Sequence, residues 1–414
     1  MKGRAALTAG ATALLLFAAV PPAYADGIRD AQWHLGFLDV AAAHRTSQGM
    51  GVTVAVVDSG LDATHPDLAG TGLPAVDATR VPDALTQSDV DGRGTALAGL
   101  VAGHGHGGTA PASPGSGTGP GTGPGASPGT RPVVGPDGVL GLAPGARILP
   151  VVITTRPGQY GDPDVLADGI DLAVAGGAKV ICVGRGLPGS PRLEQAVAAA
   201  VRADVVVVAP AAGRPGEAFL PWPAAYPGVV AVAPLDREGR VTVKPGNPPT
   251  LAAPGTDLVT TDSRGGYRIE SGSGAAGVVA GAVALVRARH PHLAGSAVVQ
   301  RLARTATDRG RPGPDEEYGS GVLNLVQALT AAVPVAPAGP SPSATGPGTA
   351  PTGTASPAPA AGAPDVKPVA RPAFDSADWR RWLVAVPLLA FLAALAFFAL
   401  TRRPGSGDPP AGLR

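Results

Sequence analysis

Three short stretches hold the residues best suited to chemistry. In the first, Val-Ala-Val-Val-Asp-Ser-Gly at 54–60 leads an apolar run directly into Asp58, and Gly60 permits the turn that follows. This puts a carboxylate at the end of a strand, where it can orient a base or simply cap a turn. In the second, Asp-Gly-Arg-Gly-Thr-Ala-Leu-Ala-Gly at 91–99 brackets Arg93 with glycines at the head of a small-residue helix, from which a side chain could face Asp58. The third, Ser-Gly-Ser-Gly-Ala-Ala-Gly at 271–277, precedes the apolar segment 278–286. A serine in that first helical turn lies amid backbone N–H groups, a place for either a nucleophile or an ordinary cap. His65, before Pro66, reads as a loop residue, and Cys182 as a small buried hydrophobe.

These residues need a scaffold that brings distant parts of the chain together. Apolar, largely β-branched runs at 52–57, 146–152, 179–183, 205–209 and 229–233 predict strands covered on both faces. Helical patterns alternate with them at 165–175, ending at Gly176-Gly177, and at 193–201, where Leu193, Ala196, Val197 and Ala200 share a face. Alternation of this kind predicts an α/β fold with a mostly parallel central sheet flanked by helices. Its chemistry is expected at the carboxyl edge of the strands.

The chain divides by composition. Lys2 and Arg4, an apolar run at 5–20 and Ala23-Tyr24-Ala25 form the pattern of a signal peptide over 1–25. Residues 26–330 form the globular domain, interrupted by a Gly/Thr/Ala/Pro/Ser insertion at 107–130. A Pro/Ala/Gly-rich linker and juxtamembrane segment covers 331–382. Residues 383–400 carry no charge and, as a helix, extend about 27 Å, so one C-terminal transmembrane helix is expected, with a cytoplasmic tail at 401–414. Arg380-Arg381 and Arg402-Arg403 flank the span, and Trp379 and Trp382 suit its outer interface. An exported N-terminus then leaves the domain outside the cell membrane, anchored by a single pass.

Net charge is +1, which gives no electrostatic case for nucleic acid, and one cysteine cannot form an intramolecular disulfide. The sequence holds no dinucleotide fingerprint, phosphate-binding loop or zinc motif, so neither cofactor nor metal is expected. Nor does a Gly-x-Ser-x-Gly precede a mid-chain helix, as an α/β-hydrolase would require.

Taken in order, the blocks resemble the subtilisin-like serine proteases, and more narrowly the mycosins, membrane-anchored proteases associated with type VII secretion. The similarity runs over 31–329. It includes Gln32-Trp33 and Leu38, the Asp58 block with His65 to Leu68, Gly-Leu-Ala-Pro-Gly-Ala-Arg-Ile-Leu-Pro at 141–150, and Tyr-Gly-Ser-Gly-Val-Leu-Asn at 318–324. The resemblance places the family aspartate on Asp58 and the family serine on Ser273. It also places Arg93 where the family has the general-base histidine of Gly-His-Gly-Thr, and Arg214 where the oxyanion asparagine of Ala-Ala-Gly-Asn stands. Arg185 and Gly186 fall on the substrate-cleft strand, usually Ser-Leu-Gly.

A guanidinium, protonated below about pH 12, has no lone pair with which to take the serine proton. Arg93 is instead expected to pair with Asp58. His104 lies 11 residues past Arg93, about 16 Å along a continuous helix, and His106 begins the insertion. The resemblance thus implies a catalytically impaired, extracytoplasmic subtilase domain with a scaffold or peptide-binding role near a type VII-like secretion system. Its partners would be an exported peptide or protein, secretion components and the lipid bilayer. The alternative is an active endopeptidase that processes exported proteins through Ser273 and an unrecognised base.

Overall fold

The computed structural model describes residues 27–81, 89–107, 134–156, 158, 161–213, 222–245 and 248–333. The expected signal peptide, transmembrane segment 383–400 and tail lie outside them, as do Arg214 and nearly all of the 107–130 insertion and the 331–382 linker. Among the described residues no helix is long and apolar enough to cross a membrane. The chain divides into two units, Met1–Gly339 and Pro340–Arg414, and all described residues belong to the first.

The strands are β1 (Thr53–Asp58), β2 (Val76–Asp77), β3 (His104–His106), β4 (Asp137–Leu140), β5 (Arg147–Val152), β6 (Val180–Val183), β7 (Val206–Pro210), β8 (Val230–Leu235), β9 (Leu251–Pro254), β10 (Leu258–Thr261) and β11 (Tyr267–Glu270). The helices are α1 (Ile28–Ala31), α2 (Trp33–Phe37), α3 (Val40–Thr46), α4 (Arg93–Ala102), α5 (Pro163–Ala175), α6 (Pro191–Arg202), α7 (Gly274–Arg289), α8 (Gly295–Thr305) and α9 (Leu325–Thr330). Seven strands form one sheet in the order β2-β5-β1-β6-β7-β8-β9, and every pairing within it is parallel. β3 with β4 and β10 with β11 make two small antiparallel ribbons.

Local chemistry starts the two helices predicted at 165–175 and 193–201 a little earlier than their apolar pattern. Asp162 accepts from the Asp164 N–H ahead of α5, and Ser190 from the Leu193 N–H ahead of α6, each with proline in the first turn. Both helices lie on one face of the sheet, where Leu166, Ile170, Leu193 and Val197 pack with Ala55, Val57, Ile181, Val183 and Val207. The other face buries Val54, Val56, Val180, Cys182, Val206 and Val208 against α4 and α7. Helix α7 is buried from Gly274 to Arg287, as expected of a helix that is apolar on all sides. Truncating a large side chain in either layer to alanine costs about 2–5 kcal/mol.

Two features of this sheet determine the site. β1 lies between β5 and β6, so the chain leaves it toward one side and later returns on the other, opening a crevice at its carboxyl end. In addition, side chains alternate along a strand. Since Val54 and Val56 face α4 and α7, Asp58 is delivered to that same layer.

Candidate active site

Asp58 ends β1 fully buried. It fits because residue 184, two past Cys182 and in register with the same layer, is glycine: a Cβ there would collide with Asp58 Oδ2. Arg93 opens α4, and its Nε lies 3.3 Å from Asp58 Oδ1. The flanking glycines have separate reasons. Gly92 takes φ +79°, and a Cβ on it would press on the Asp262 carboxylate and come within 2.8 Å of an Arg268 guanidinium nitrogen. A Cβ on Gly94 would run into the backbone of Gly60.

Arg185 reaches Asp58 from just beyond the end of β6, its Nη2 donating to Oδ1 at 3.3 Å, and it is 8% exposed. Both arginines also share Asp91 Oδ2, Arg93 at 2.9 Å and Arg185 at 3.5 Å. Two guanidiniums and two carboxylates therefore interlock at the end of β1. Burial works against the Arg93 charge, but Asp58 and Asp91 outweigh it and hold its pKa above the ordinary value. Burial likewise opposes ionisation of Asp91, and the Arg93 charge with nearby hydrogen bonds overcomes it, leaving Asp91 below the usual carboxylate range. Asp58 Oδ2 finds no hydrogen-bond partner among the described residues.

Asp89 ties this corner to α4. Its Oδ1 accepts from Ser59 Oγ at 2.6 Å and from the Gly92 N–H at 2.9 Å, while Oδ2 accepts from the Thr95 N–H at 2.7 Å. Burial raises its pKa, against the pull of those hydrogen bonds.

Ser273 stands at the N-cap of α7 but makes no side-chain cap bond. Its Oγ instead donates to Glu270 Oε1 at 2.6 Å, and Glu270 is fully buried at the end of β11. The intervening turn depends on Gly272 at φ +79° and is pinned by the Gly272 N–H donating to Gly255 O at 2.7 Å. In this turn the Ser273 N–H donates to Ser271 O at 3.1 Å, so it is not directed at a developing oxyanion. Arg268 joins the two halves of the site: it donates to Asp91 O at 2.9 Å, and its Nε lies 3.5 Å from Glu270 Oε2. Asp58, Arg93 and Ser273, far apart in sequence, are thus linked through Asp91, Arg268 and Glu270 by a chain of ion pairs and hydrogen bonds.

The histidines have other engagements. α4 stops at Ala102, so His104 does not extend it as a continuous-helix estimate assumes; it opens β3, with Nε2 3.0 Å from Ala69 O. His106 Nδ1 lies 2.6 Å from buried Asp67, and His65 Nε2 2.9 Å from Gly266 O. Cys182 is fully buried, and burial followed by the Asp58 charge pushes its thiol pKa up, away from nucleophilic use. Gly186 precedes Leu187, whose N–H donates to Trp222 O at 2.7 Å. Among the described residues no group of three or more His, Cys, Asp or Glu side chains is placed to hold a metal ion.

Sequence reasoning missed Glu270, Arg268 and the paired role of Asp91. The available signal was the alternation Arg268, Glu270 on one strand, which puts opposite charges on the same face just before the Ser-Gly-Ser turn.

The subtilase family model matches residues 49–321. This chain belongs to the subtilase family. It is 32% identical over 301 residues to the thermostable alkaline protease of Halalkalibacterium halodurans, covering 72% of this chain and 73% of that protein. To subtilisin Savinase of Lederbergia lenta it is 31% identical over 297 residues, covering 70% and 96%. Among solved structures, that of MycP1 with its N-terminal propeptide removed aligns with a TM-score of 0.58 at 26% identity, covering 74% of this chain and 98% of that one. Fervidolysin of Fervidobacterium pennivorans, a keratinolytic enzyme related to subtilisin, aligns with a TM-score of 0.59 at 26% identity, covering 75% and 48%. The domain is therefore a subtilisin-like α/β fold with a parallel central sheet, and its family is one of serine proteases.

Proposed function

We propose that this is a mycosin-type subtilase, anchored in the cell membrane with its domain outside, in which peptide hydrolysis is impaired and a scaffold or peptide-binding role near a type VII-like secretion system remains. One observation carries this reading: the side chains that hold Asp58 are the guanidiniums of Arg93 and Arg185, which have no lone pair to take a proton, so Asp58 orients no general base. The diverted Ser273 N–H adds to it, since loss of one oxyanion donor costs about 10²–10³ in rate. The anchor and the secretion partner rest on the uncharged run 383–400, the N-terminal export pattern and the structural likeness to MycP1.

The test is cleavage of an unbiased peptide library by the native protein and by its Ser273→Ala variant, with folding checked in both. Equal, background-level cleavage is expected. Robust turnover by the native protein that vanishes in Ser273→Ala would replace this reading with that of an active endopeptidase.

A further inference from the structure

Beyond the blocked Asp58, the site keeps one contact of a reactive kind. A hydroxyl that donates to a carboxylate at 2.6 Å forms a short, charge-assisted hydrogen bond, and its oxygen gains nucleophilic character as the proton is drawn away. The geometry is held firmly. Glu270 is the last residue of β11, the Gly272 turn fixes its separation from Ser273, and Arg268 holds the far carboxylate oxygen. Ser273 meanwhile keeps 9% of its surface exposed, whereas Glu270 keeps none.

We infer that Glu270 is the proton acceptor for Ser273, and that the pair confers acyl transfer confined to substrates with good leaving groups, aryl esters above all. The restriction follows from what the site lacks, and to that extent the inference rests on the proposed loss of peptide hydrolysis. An amide nitrogen must be protonated before it departs and its tetrahedral intermediate needs strong oxyanion stabilisation, whereas a phenolate leaves unaided. In the first step the Ser273 Oγ–H proton passes to Glu270 as the Oγ–C bond forms. The C–O bond to the aryl group then breaks, and the phenolate takes that proton directly or through solvent. In the second step water attacks the acylated Ser273 and gives its proton to Glu270. The Oγ–C bond breaks, Ser273 Oγ recovers a proton, and ester plus water has become carboxylic acid plus phenol.

The test uses the full chain in detergent with a fluorophosphonate probe, which forms an Oγ–P bond and releases fluoride, and with p-nitrophenyl acetate as substrate. Labelling is located by mass spectrometry of the peptide that contains Ser273. We expect Ser273 to be labelled in the native protein, labelling and ester turnover to be lost in Ser273→Ala, and both to slow about 10²-fold or more in Glu270→Gln at an unchanged unfolding midpoint. An unlabelled Ser273 in the native protein overturns the inference, and so does a folded Glu270→Gln variant that reacts at the native rate. Should Glu270→Gln fail to fold, Glu270→Asp retains a carboxylate opposite Arg268 but withdraws it from Ser273. It should slow labelling by up to about 10²-fold, and an unchanged rate is again fatal. Peptide turnover is measured separately, so an active peptidase would refute the impaired reading without touching the Glu270 comparison.

Discussion

Gly184 and Asp58 compete for one volume: a Cβ on residue 184 would collide with Asp58 Oδ2 and stand 2.6 Å from Leu97 Cδ1. The glycine is thus required by the buried carboxylate beside it and not by its own backbone. Gly184→Ala should lower stability by about 1–3 kcal/mol, read from the urea midpoint. Gly36→Ala, where a Cβ meets nothing within 4 Å, serves as the control and should leave the midpoint unchanged or slightly raised.

The paired arginines predict a strongly non-additive double-mutant cycle. Arg93→Ala leaves Asp58 with Arg185, and Arg185→Ala leaves it with Arg93, so each alone should cost only about 0.5–1 kcal/mol. Removing both strands a fully buried carboxylate and should cost about 3–5 kcal/mol or more. Strict additivity of the unfolding free energies would show that the two arginines act on separate partners.

His34 predicts the acid limit of the domain. It is fully buried, neither ring nitrogen has a hydrogen-bond partner among the described residues, and burial pushes its pKa down from 6.5 to about 3. The unfolded chain therefore binds a proton that the folded chain refuses. Stability falls as pH drops below 6.5, by about 1.4 kcal/mol per unit, until the folded value near 3 is reached. His34→Leu should flatten the midpoint between pH 6 and 4, and an unchanged slope would assign the acid loss to the carboxylates.

On the proposed reading, a histidine placed at position 93 should not produce proteolysis. In Arg93→His the imidazole would still find Arg185 on Asp58 Oδ1 and the Ser273 hydroxyl committed to Glu270. Peptide cleavage by this variant should equal that of Ser273→Ala. Strong turnover from the single change would mean that Arg185 and Glu270 yield readily.

The scaffold was legible in the sequence because burial on both faces writes continuous β-branched runs, and their two-residue parity already assigns Asp58 to the layer of Val54 and Val56. β9 and β11 were harder to read: Leu-Ala-Ala-Pro has no β-branched run, and Tyr-Arg-Ile-Glu, although it alternates, is only four residues long. The contact of Arg185 with a carboxylate 127 residues away could not be read from position alone, because it follows from the sheet order that sets β6 beside β1. The direction of the Ser273 hydroxyl was hidden for a different reason. Serine at a helix N-terminus can cap or donate backwards, and the outcome depends on the φ of Gly272.

The β3–β4 ribbon has a consequence for engineering. His106 faces Asp137 across antiparallel strands, and the Gly135 N–H donates to His104 O at 2.8 Å, so the chain departs and re-enters at points one strand spacing apart. Whatever joins those points need only close a loop, and doubling its length costs about 0.6 kcal/mol. The ribbon therefore offers a socket: an epitope or a fluorescent module spliced in there starts and ends at points that the fold already holds together.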